Sequence, residues 1–138
     1  MESLFLPEFK IRDDISEDSF VIIGSISTGA FGKVFKVQKK DTNEIYAMKI
    51  LSKAQIVANN AIQQVKDEVK IQQLCGHHPF IVNCPYYWQS RKKLYIVSDF
   101  ISGGELLKLL QDVGRLPDDV VRIYIAEIAL ALGMLKFF

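Results

Sequence analysis

The sequence of 138 residues is poor in cysteine, proline and surplus charge. Its two cysteines, Cys75 and Cys84, are too few for a disulfide framework, so we expect free thiols in a reducing setting, cytoplasmic or nuclear. The 17 basic and 16 acidic side chains leave a net charge of +1, which excludes the strong field of a general nucleic-acid or membrane-surface binder. Four prolines and eight glycines exclude collagen and low-complexity chains.

Targeting and membrane signals are also missing from the sequence. The first ten residues lack the basic start and apolar run of a secretory signal, and Glu2 breaks the myristoylation pattern. The most apolar stretch, residues 123–138, is shorter than a bilayer span and is interrupted by Glu127, Gly133 and Lys136. We therefore expect neither a membrane nor a nucleic acid among the partners.

Hydrophobic periodicity predicts an α+β fold. Apolar runs and alternating patterns predict strands at residues 20–23, 33–39, 45–51, 82–90 and 93–100. Apolar residues three and four apart predict helices at residues 52–74, 105–112 and from 117 towards the C-terminus. Residues 1–19 are acidic and weakly patterned, so we expect a loosely held lead-in. The prediction is a five-stranded antiparallel sheet with one major helix, followed by two further helices.

A glycine-bearing turn separates the first two predicted strands. It reads Ile26-Ser27-Thr28-Gly29-Ala30-Phe31-Gly32-Lys33-Val34. Such a hairpin lets the backbone approach a polyphosphate and directs N–H groups at it, although a plain glycine hairpin has the same pattern. A dinucleotide-binding fold needs a helix after the glycines, and a P-loop needs Gly-Lys-Ser/Thr at the start of a helix. Neither requirement is met here.

A lysine lies within an apolar strand, where an unpaired charge is costly. Ala47 and Lys49 are two residues apart and so share one face of the strand. A small residue leaves space for the flat ring of a ligand, and the ammonium group of the neighbouring lysine could reach phosphates of the same ligand. Glu68 lies at the edge of the apolar stripe of the predicted helix, so we expect a Lys49–Glu68 ion pair. The alternatives are a surface lysine and an exposed helix glutamate.

The glycine turn, the strand with Ala47 and Lys49, and the helix with Glu68 follow one another as in a kinase. In this order they resemble the small lobe of a eukaryotic protein kinase over roughly residues 20–135. The resemblance extends to three further motifs, which are His78-Pro79-Phe80, Leu94-Tyr95-Ile96-Val97 and Gly103-Gly104-Glu105-Leu106. Together with Ala47-Met48-Lys49 they are similar to serine/threonine kinases of the AGC group. Phe5-Leu6-Pro7-Glu8-Phe9 looks most like the ribosomal protein S-six kinase-related branch.

The resemblance implies an ATP site and assigns a role to each matching residue. The phosphate loop would comprise Ile26, Ser27, Thr28, Gly29, Ala30, Phe31 and Gly32, and the adenine would pack on Val34 and Ala47. The catalytic residues would be Lys49, which contacts the α- and β-phosphates, and Glu68, which holds Lys49. The remaining contacts would be a hinge at Asp99, Phe100 and Ile101, a small gatekeeper at Ser98 and a ribose contact at Glu105. The implied regions are a lead-in at 1–19, the small lobe and hinge at 20–101, and the start of the large lobe at 102–138.

Two departures from the kinase pattern limit what the resemblance implies. Ser27 replaces the first glycine of the loop, and the 138 residues contain neither a His/Tyr-Arg-Asp catalytic loop nor an Asp-Phe-Gly magnesium site. We therefore expect ATP without magnesium ligands, a protein substrate only where a large lobe is present, and no phosphoryl transfer by this chain. The interpretation is a truncated or alternatively spliced kinase product.

Two other interpretations remain open at this point, a non-catalytic binding module and an incomplete gene product with no stable function. The chain could be a non-catalytic binding or regulatory module that docks a hydrophobic peptide on the small lobe, as lobes of this group do with C-terminal tails. Cys75, His77, His78 and Cys84 lack the standard spacing of a zinc site, so no metal site is predicted. Trp88, with Tyr86 and Tyr87, is predicted to belong to the sheet core.

Overall fold

The computed structural model describes residues 1–137. Its strands are β1 (Phe20–Thr28), β2 (Gly32–Lys39), β3 (Ile45–Ser52), β4 (Tyr86–Gln89) and β5 (Lys93–Asp99). Its α-helices are α1 (Lys53–Ala58), α2 (Ile62–Cys75), α3 (Leu106–Val113) and α4 (Asp118–Leu135), with short 3-10 helices at Glu2–Phe5 and Glu17–Ser19. The strands form one antiparallel sheet in the order β1-β2-β3-β5-β4, which confirms the predicted fold class. Phe138, the end of the predicted region 102–138, lies outside the described residues.

The first strand is longer than predicted. We expected it to end at Gly24-Ser25, but β1 continues to Thr28. Its pairing with β2 shifts register between Ile22 and Gly24 and again between Ser25 and Ser27. Glycine in a strand often marks a bulge rather than an end, because an extra residue can be accommodated while the ladder resumes beyond it.

The predicted helix at residues 52–74 is divided into α1 and α2. The break lies at Asn60, which adopts a left-handed backbone with φ of 53°. Asparagine tolerates this conformation better than most residues, so it can end one helix and turn the chain into the next. The predicted strand at residues 82–90 is reduced to β4, which begins directly after Pro85, a residue that has no N–H to donate to a ladder.

Each face of the sheet carries its own buried cluster. On the face covered by α1 and α2, residues of the sheet pack with residues of the two helices and of the N-terminal segment. This cluster consists of Phe5, Phe9, Leu51, Ile56, Ala61, Val65, Val69, Tyr87, Leu94 and Ile96. The opposite face carries Ile15, Phe20, Val37, Tyr46, Met48, Trp88, Tyr95 and Val97. Trp88 is 2% exposed and stacks on Tyr95 with ring centroids 4.7 Å apart, which confirms its prediction as a core residue.

The lead-in is not loosely held, so that expectation was wrong. Phe5 and Phe9 are fully buried, and both belong to the cluster between the sheet and the helices. The N–H of Phe9 donates to the carbonyl of Phe5 at 2.9 Å, which folds residues 5–9 into one turn. Periodicity did not identify this segment because its buried side chains, Phe5, Phe9 and Ile15, are few and isolated.

The two C-terminal helices are packed differently from the sheet. Neither α3 nor α4 has a buried residue among the described positions. Ile125 and Leu132 of α4 are 61% and 59% exposed, although the helix is apolar on most faces. Within residues 1–137, no helix combines the length and apolar character needed to cross a membrane.

Candidate functional site

Strand register places four of the predicted site residues on one face of the sheet. Val34 is paired with Lys49 across β2 and β3, and Ala47 is paired with Ser98 across β3 and β5. Residues directly opposite each other in an antiparallel pair project to the same side of the sheet. Ala47 and Ser98 are both small, so this part of the face leaves space for a flat group beside Lys49.

The glycine turn lies against the backbone of β3. The N–H of Gly29 donates to the carbonyl of Gly32 at 2.8 Å, and the N–H of Ser52 donates to the carbonyl of Phe31 at 2.8 Å. A Cβ atom at Gly32 would lie only 1.8 Å from the carbonyl oxygen of Ile50. Gly32 is therefore required by the close approach of two strands. At Gly29 the nearest atom to a Cβ would be 3.8 Å away, so that side of the turn remains open.

The predicted ion pair between β3 and α2 is present. The Nζ atom of Lys49 lies 3.5 Å from Oε1 of Glu68, which confirms the expected pairing. The two side chains are 38% and 54% exposed, and exposed pairs contribute about 0–1 kcal/mol to stability. The pair therefore orients the ammonium group much more than it stabilises the fold.

A cavity of about 320 Å³ lies beneath the glycine turn. Its walls are formed by Ser27, Gly29, Ala30, Phe31, Gly32, Val34, Lys49 and Leu51. Backbone groups of a glycine turn and one ammonium group form a suitable site for an oxyanion such as a phosphate, because both present N–H donors to negative oxygen. Seven of these eight residues were among the predicted site residues.

Leu51 is the lining residue that the sequence prediction missed. It lies two residues after Lys49 and is paired with Gly32 in the sheet. The strand period of two places residues 47, 49 and 51 on the same face, so this signal was available in the sequence.

Two titratable groups, the Cys84 thiol and the Tyr87 phenol, lie close enough to Glu68 to feel its charge. Burial raises the pKa of the Cys84 thiol and also raises the pKa of the Tyr87 phenol. Both groups are therefore neutral near pH 7, and the raised pKa makes the partly buried Cys84 thiol a poor nucleophile. Because neither group carries a negative charge, neither competes with the Glu68 carboxylate for the Lys49 ammonium group.

The predicted hinge follows directly after β5. The N–H of Asp99 donates to the carbonyl of Asn83 at 2.9 Å, and the Nζ atom of Lys36 lies 4.6 Å from the centre of the Phe100 ring. Within residues 1–137, the N–H of Ile101 has no protein acceptor, and its side chain is 60% exposed. The hinge backbone can therefore offer a hydrogen-bond donor to a ligand.

Glu105 lies apart from the glycine turn. It precedes α3 and lines a second cavity, of about 340 Å³, with Gly103, Gly104, Leu106, Leu109, Tyr124, Glu127 and Ile128. Ile26, Thr28, Ala47, Ser98 and the three hinge residues also lie outside the walls of the cavity beneath the turn. The predicted residues thus form the walls of the cavity beneath the turn, an adjoining small-residue face and a separate position at Glu105.

Metal ligands do not come together in the part of the chain that the structure describes. No group of three His, Cys, Asp or Glu side chains in residues 1–137 is arranged to hold an ion.

An antiparallel sheet with a glycine turn over a lysine–glutamate pair defines a protein kinase small lobe. Residues 20–136 match the protein kinase domain family, and the chain belongs to that family.

Similar proteins include several kinases. The chain is 42% identical over 129 residues, 94% of its length, to "Probable serine/threonine protein kinase IRE4" of Arabidopsis thaliana. It is 44% identical over 126 residues, or 91%, to "Protein kinase 2" of Dictyostelium discoideum, and 43% identical over 123 residues, or 89%, to the "RAC family serine/threonine-protein kinase homolog" of the same organism. The matched region covers 12%, 26% and 28% of these three relatives, so the chain corresponds to a small part of each.

Proposed function

We propose that this chain is the ATP-binding small lobe, with the beginning of the large lobe, of a serine/threonine kinase of the AGC group. The observation that carries the proposal is the Lys49–Glu68 pair, 3.5 Å apart, beside a glycine-turn cavity. The ribosomal protein S-six kinase-related branch is the proposed subgroup, on the basis of the Phe5–Phe9 motif. The proposed regions are 1–19 as lead-in, 20–101 as small lobe and hinge, and 102–138 as the start of the large lobe.

The proposed nucleotide pose follows the face of the sheet. The phosphates lie beneath Gly29 and Gly32, where the Lys49 ammonium group meets the α- and β-phosphates. The adenine ring lies on the flat area next to Ala47 and Ser98, and its edge bonds to the hinge backbone. The other contacts in this pose come from Ile26, Val34, Asp99, Phe100, Ile101 and Glu105. The small Ser98 leaves space behind the ring, which is the role of a gatekeeper position.

Phosphoryl transfer belongs, in this proposal, to a longer protein that includes a large lobe and a protein substrate. The family uses an aspartate base and magnesium-binding aspartate and asparagine residues from motifs that these 138 residues do not contain. We infer that the isolated chain positions the nucleotide without transferring phosphate, and that added magnesium changes its affinity for ATP little. The two free cysteines favour a cytoplasmic or nuclear location.

A titration of ATP and of adenosine tests the phosphate role of Lys49. We expect Lys49→Ala to weaken ATP binding by about tenfold or more, equivalent to roughly 1.4 kcal/mol, and adenosine binding by less than about twofold. The reason is that only the phosphates reach the ammonium group. Isothermal titration calorimetry on the purified chain measures both affinities.

The matched control is Lys33→Ala. Lys33 is adjacent to Gly32 and its loss changes the net charge equally, but it lines a different groove and not the cavity beneath the turn. This variant should keep both affinities. Equal losses of ATP and adenosine in Lys49→Ala, or an ATP loss of the same size in Lys33→Ala, would contradict the proposed pose.

A further inference from the structure

The N-terminal strap, defined as residues 1–10, fills the space between the sheet and helix α2. Its Phe5 and Phe9 are fully buried and are members of the cluster on the helix-covered face. That cluster joins Ile56, Val65 and Val69 of the helices to Leu51, Leu94 and Ile96 of the sheet. The two aromatic rings therefore form part of the packed layer that separates α2 from the strands.

Gln89 at the end of β4 binds the strap to the sheet. Its Nε2 atom donates to the carbonyls of Phe9 at 2.6 Å and Glu2 at 3.1 Å, and its backbone N–H donates to the carbonyl of Lys10 at 3.0 Å. Its Oε1 atom accepts from the buried Lys53 ammonium group at 2.5 Å. Gln89 is 3% exposed, so these are enclosed hydrogen bonds that leave no donor of its amide unpaired.

Lys66 binds the strap to α2. Its ammonium group donates to the carbonyl of Leu6 at 2.7 Å and lies 3.3 Å from the carboxylate of Glu8. The Lys66 and Glu8 side chains are 19% and 14% exposed, which makes this pair more enclosed than Lys49–Glu68. Lys66 is two residues before Glu68 on the same helix, so the two side chains leave α2 in roughly opposite directions, and any effect of the strap on Glu68 is transmitted by the position of the helix.

We propose that the N-terminal strap positions α2 and thereby holds Glu68 against Lys49, with Phe5, Phe9 and Lys66 as positioning residues. This inference rests on the proposed nucleotide site. Removing a buried phenylalanine ring leaves a cavity that neighbouring elements fill only in part, and α2 is the element on the other side of it. Because Lys49 and Glu68 are 3.5 Å apart, a displacement of about 1 Å separates them beyond direct contact. A hydrophobic peptide from another protein could dock in the space between α2 and the sheet. In this chain that space is occupied by Phe5 and Phe9 of the N-terminal strap.

The direct test is Phe9→Ala, compared with Leu4→Ala. Leu4 lies on the same strap but is 46% exposed, so its loss removes an apolar side chain without opening the layer. If the fraction of molecules with α2 in place falls to about one fifth, apparent ATP affinity falls about fivefold. We expect that loss in Phe9→Ala, with adenosine affinity changed less than about twofold, and no loss in Leu4→Ala. An unchanged ratio of ATP to adenosine affinity in Phe9→Ala would overturn the inference.

Rescue by a synthetic peptide of residues 1–10 separates positioning from general damage. Added to Phe9→Ala, the peptide should restore ATP affinity to within about twofold of the original chain, whereas the same peptide with both phenylalanines replaced by alanine should not. If Phe9→Ala does not fold, Lys66→Met is used in its place, because methionine keeps the apolar part of the lysine side chain. Lys66→Met should lower the affinity for ATP by about twofold and leave the affinity for adenosine unchanged. Absence of rescue in a folded Phe9→Ala chain, or an unchanged Lys66→Met, counts against the strap.

Hydrogen exchange distinguishes failure of this inference from failure of the nucleotide site. If the original chain does not bind ATP, the proposed function is refuted. Hydrogen exchange needs no nucleotide, so it still measures whether the strap holds α2 in place. We expect the amides of α2 to exchange at least about tenfold faster in Phe9→Ala, with the amides of β5 changed much less. Equal acceleration in α2 and β5 would show that the strap only stabilises the whole lobe, and the positioning role would then be wrong.

Discussion

Residues 1–99 and residues 103–137 use their apolar side chains in different ways. In the sheet region, each face carries a buried cluster, and residues such as Val37, Met48 and Leu94 are fully buried. In the helical region, α3 and α4 have no buried residue, although Ile125, Ile128 and other large apolar residues are present. Apolar content alone therefore does not decide burial, because a side chain needs partners on more than one side.

This difference has consequences for stability and for the site. Free energy from apolar burial is concentrated in the sheet region, so global unfolding reports on that region and the helices have lower local stability. The Lys49–Glu68 pair lies in the well-packed part, whereas Glu105 lies at the start of the helical part. Lys49 and Glu68 therefore lie on elements that contribute to the buried core, whereas Glu105 does not.

The largest expected effect is the loss of a core side chain from the sheet region. Met48→Ala should lower the free energy of unfolding by about 2–5 kcal/mol, because Met48 is fully buried in the aromatic cluster. Ile125→Ala, at a position that is 61% exposed on α4, should cost less than about 1 kcal/mol. Chemical denaturation followed by the fluorescence of Trp88, the single tryptophan, measures both. Similar losses in the two variants would show that α4 is packed as tightly as the sheet.

The sheet and the ion pair were predictable because their signals are local. Apolar runs and alternating patterns identified the five strands, and the apolar stripe of α2 placed Glu68 at an edge from which its carboxylate reaches Lys49. Both predictions are confirmed. The rest of the predicted site, from the adenine contacts to Glu105, remains a prediction.

The N-terminal strap could not be predicted from periodicity. Its anchor Gln89 lies 80 residues from Phe9 in the sequence, and the four-residue spacing of Phe5 and Phe9 fits a helix or a strand equally. The break at Asn60 and the bulges of β1 depend on single backbone conformations that the surrounding packing selects. These features were missed because tertiary contacts, rather than local preferences, determine them.

A second contrast uses one added methyl group in each region. Gly32→Ala should destabilise the chain by about 1–3 kcal/mol, because the new Cβ would lie 1.8 Å from the carbonyl oxygen of Ile50 and the strands must separate. Gly133→Ala adds the same group in α4, where nothing lies within 4 Å, and should be neutral or slightly stabilising because alanine favours helix. Thermal melts of both variants test this, and a tolerated Gly32→Ala would indicate that β2 and β3 approach less closely than the structure has them.

The smallest expected effect is a pH dependence located in the sheet region. Burial, together with a hydrogen bond to Glu17 at 2.7 Å, raises the pKa of Tyr95 to about 12. An unfolded tyrosine has a pKa of about 10, so the folded state favours the protonated phenol. The stability from this preference is complete below pH 10 and is lost as the pH rises from 10 through 12. Linkage gives a loss of about 1 kcal/mol at pH 11.

Tyr95→Phe tests this origin of the alkaline loss. The variant lacks the hydrogen bond to Glu17, so it should be less stable by about 0.5–1.5 kcal/mol near pH 8. Between pH 10 and 12 its free energy of unfolding should fall less steeply than that of the original chain. Burial lowers the pKa of Lys53, which adds stability as the pH rises, but this group is present in both proteins and cancels in the difference. Tyr124→Phe, which removes the same hydroxyl from α4, is the control that should keep the original slope. If the free energy of unfolding falls less steeply between pH 10 and 12 by the same amount in both variants, the alkaline loss does not originate at Tyr95 in the sheet core.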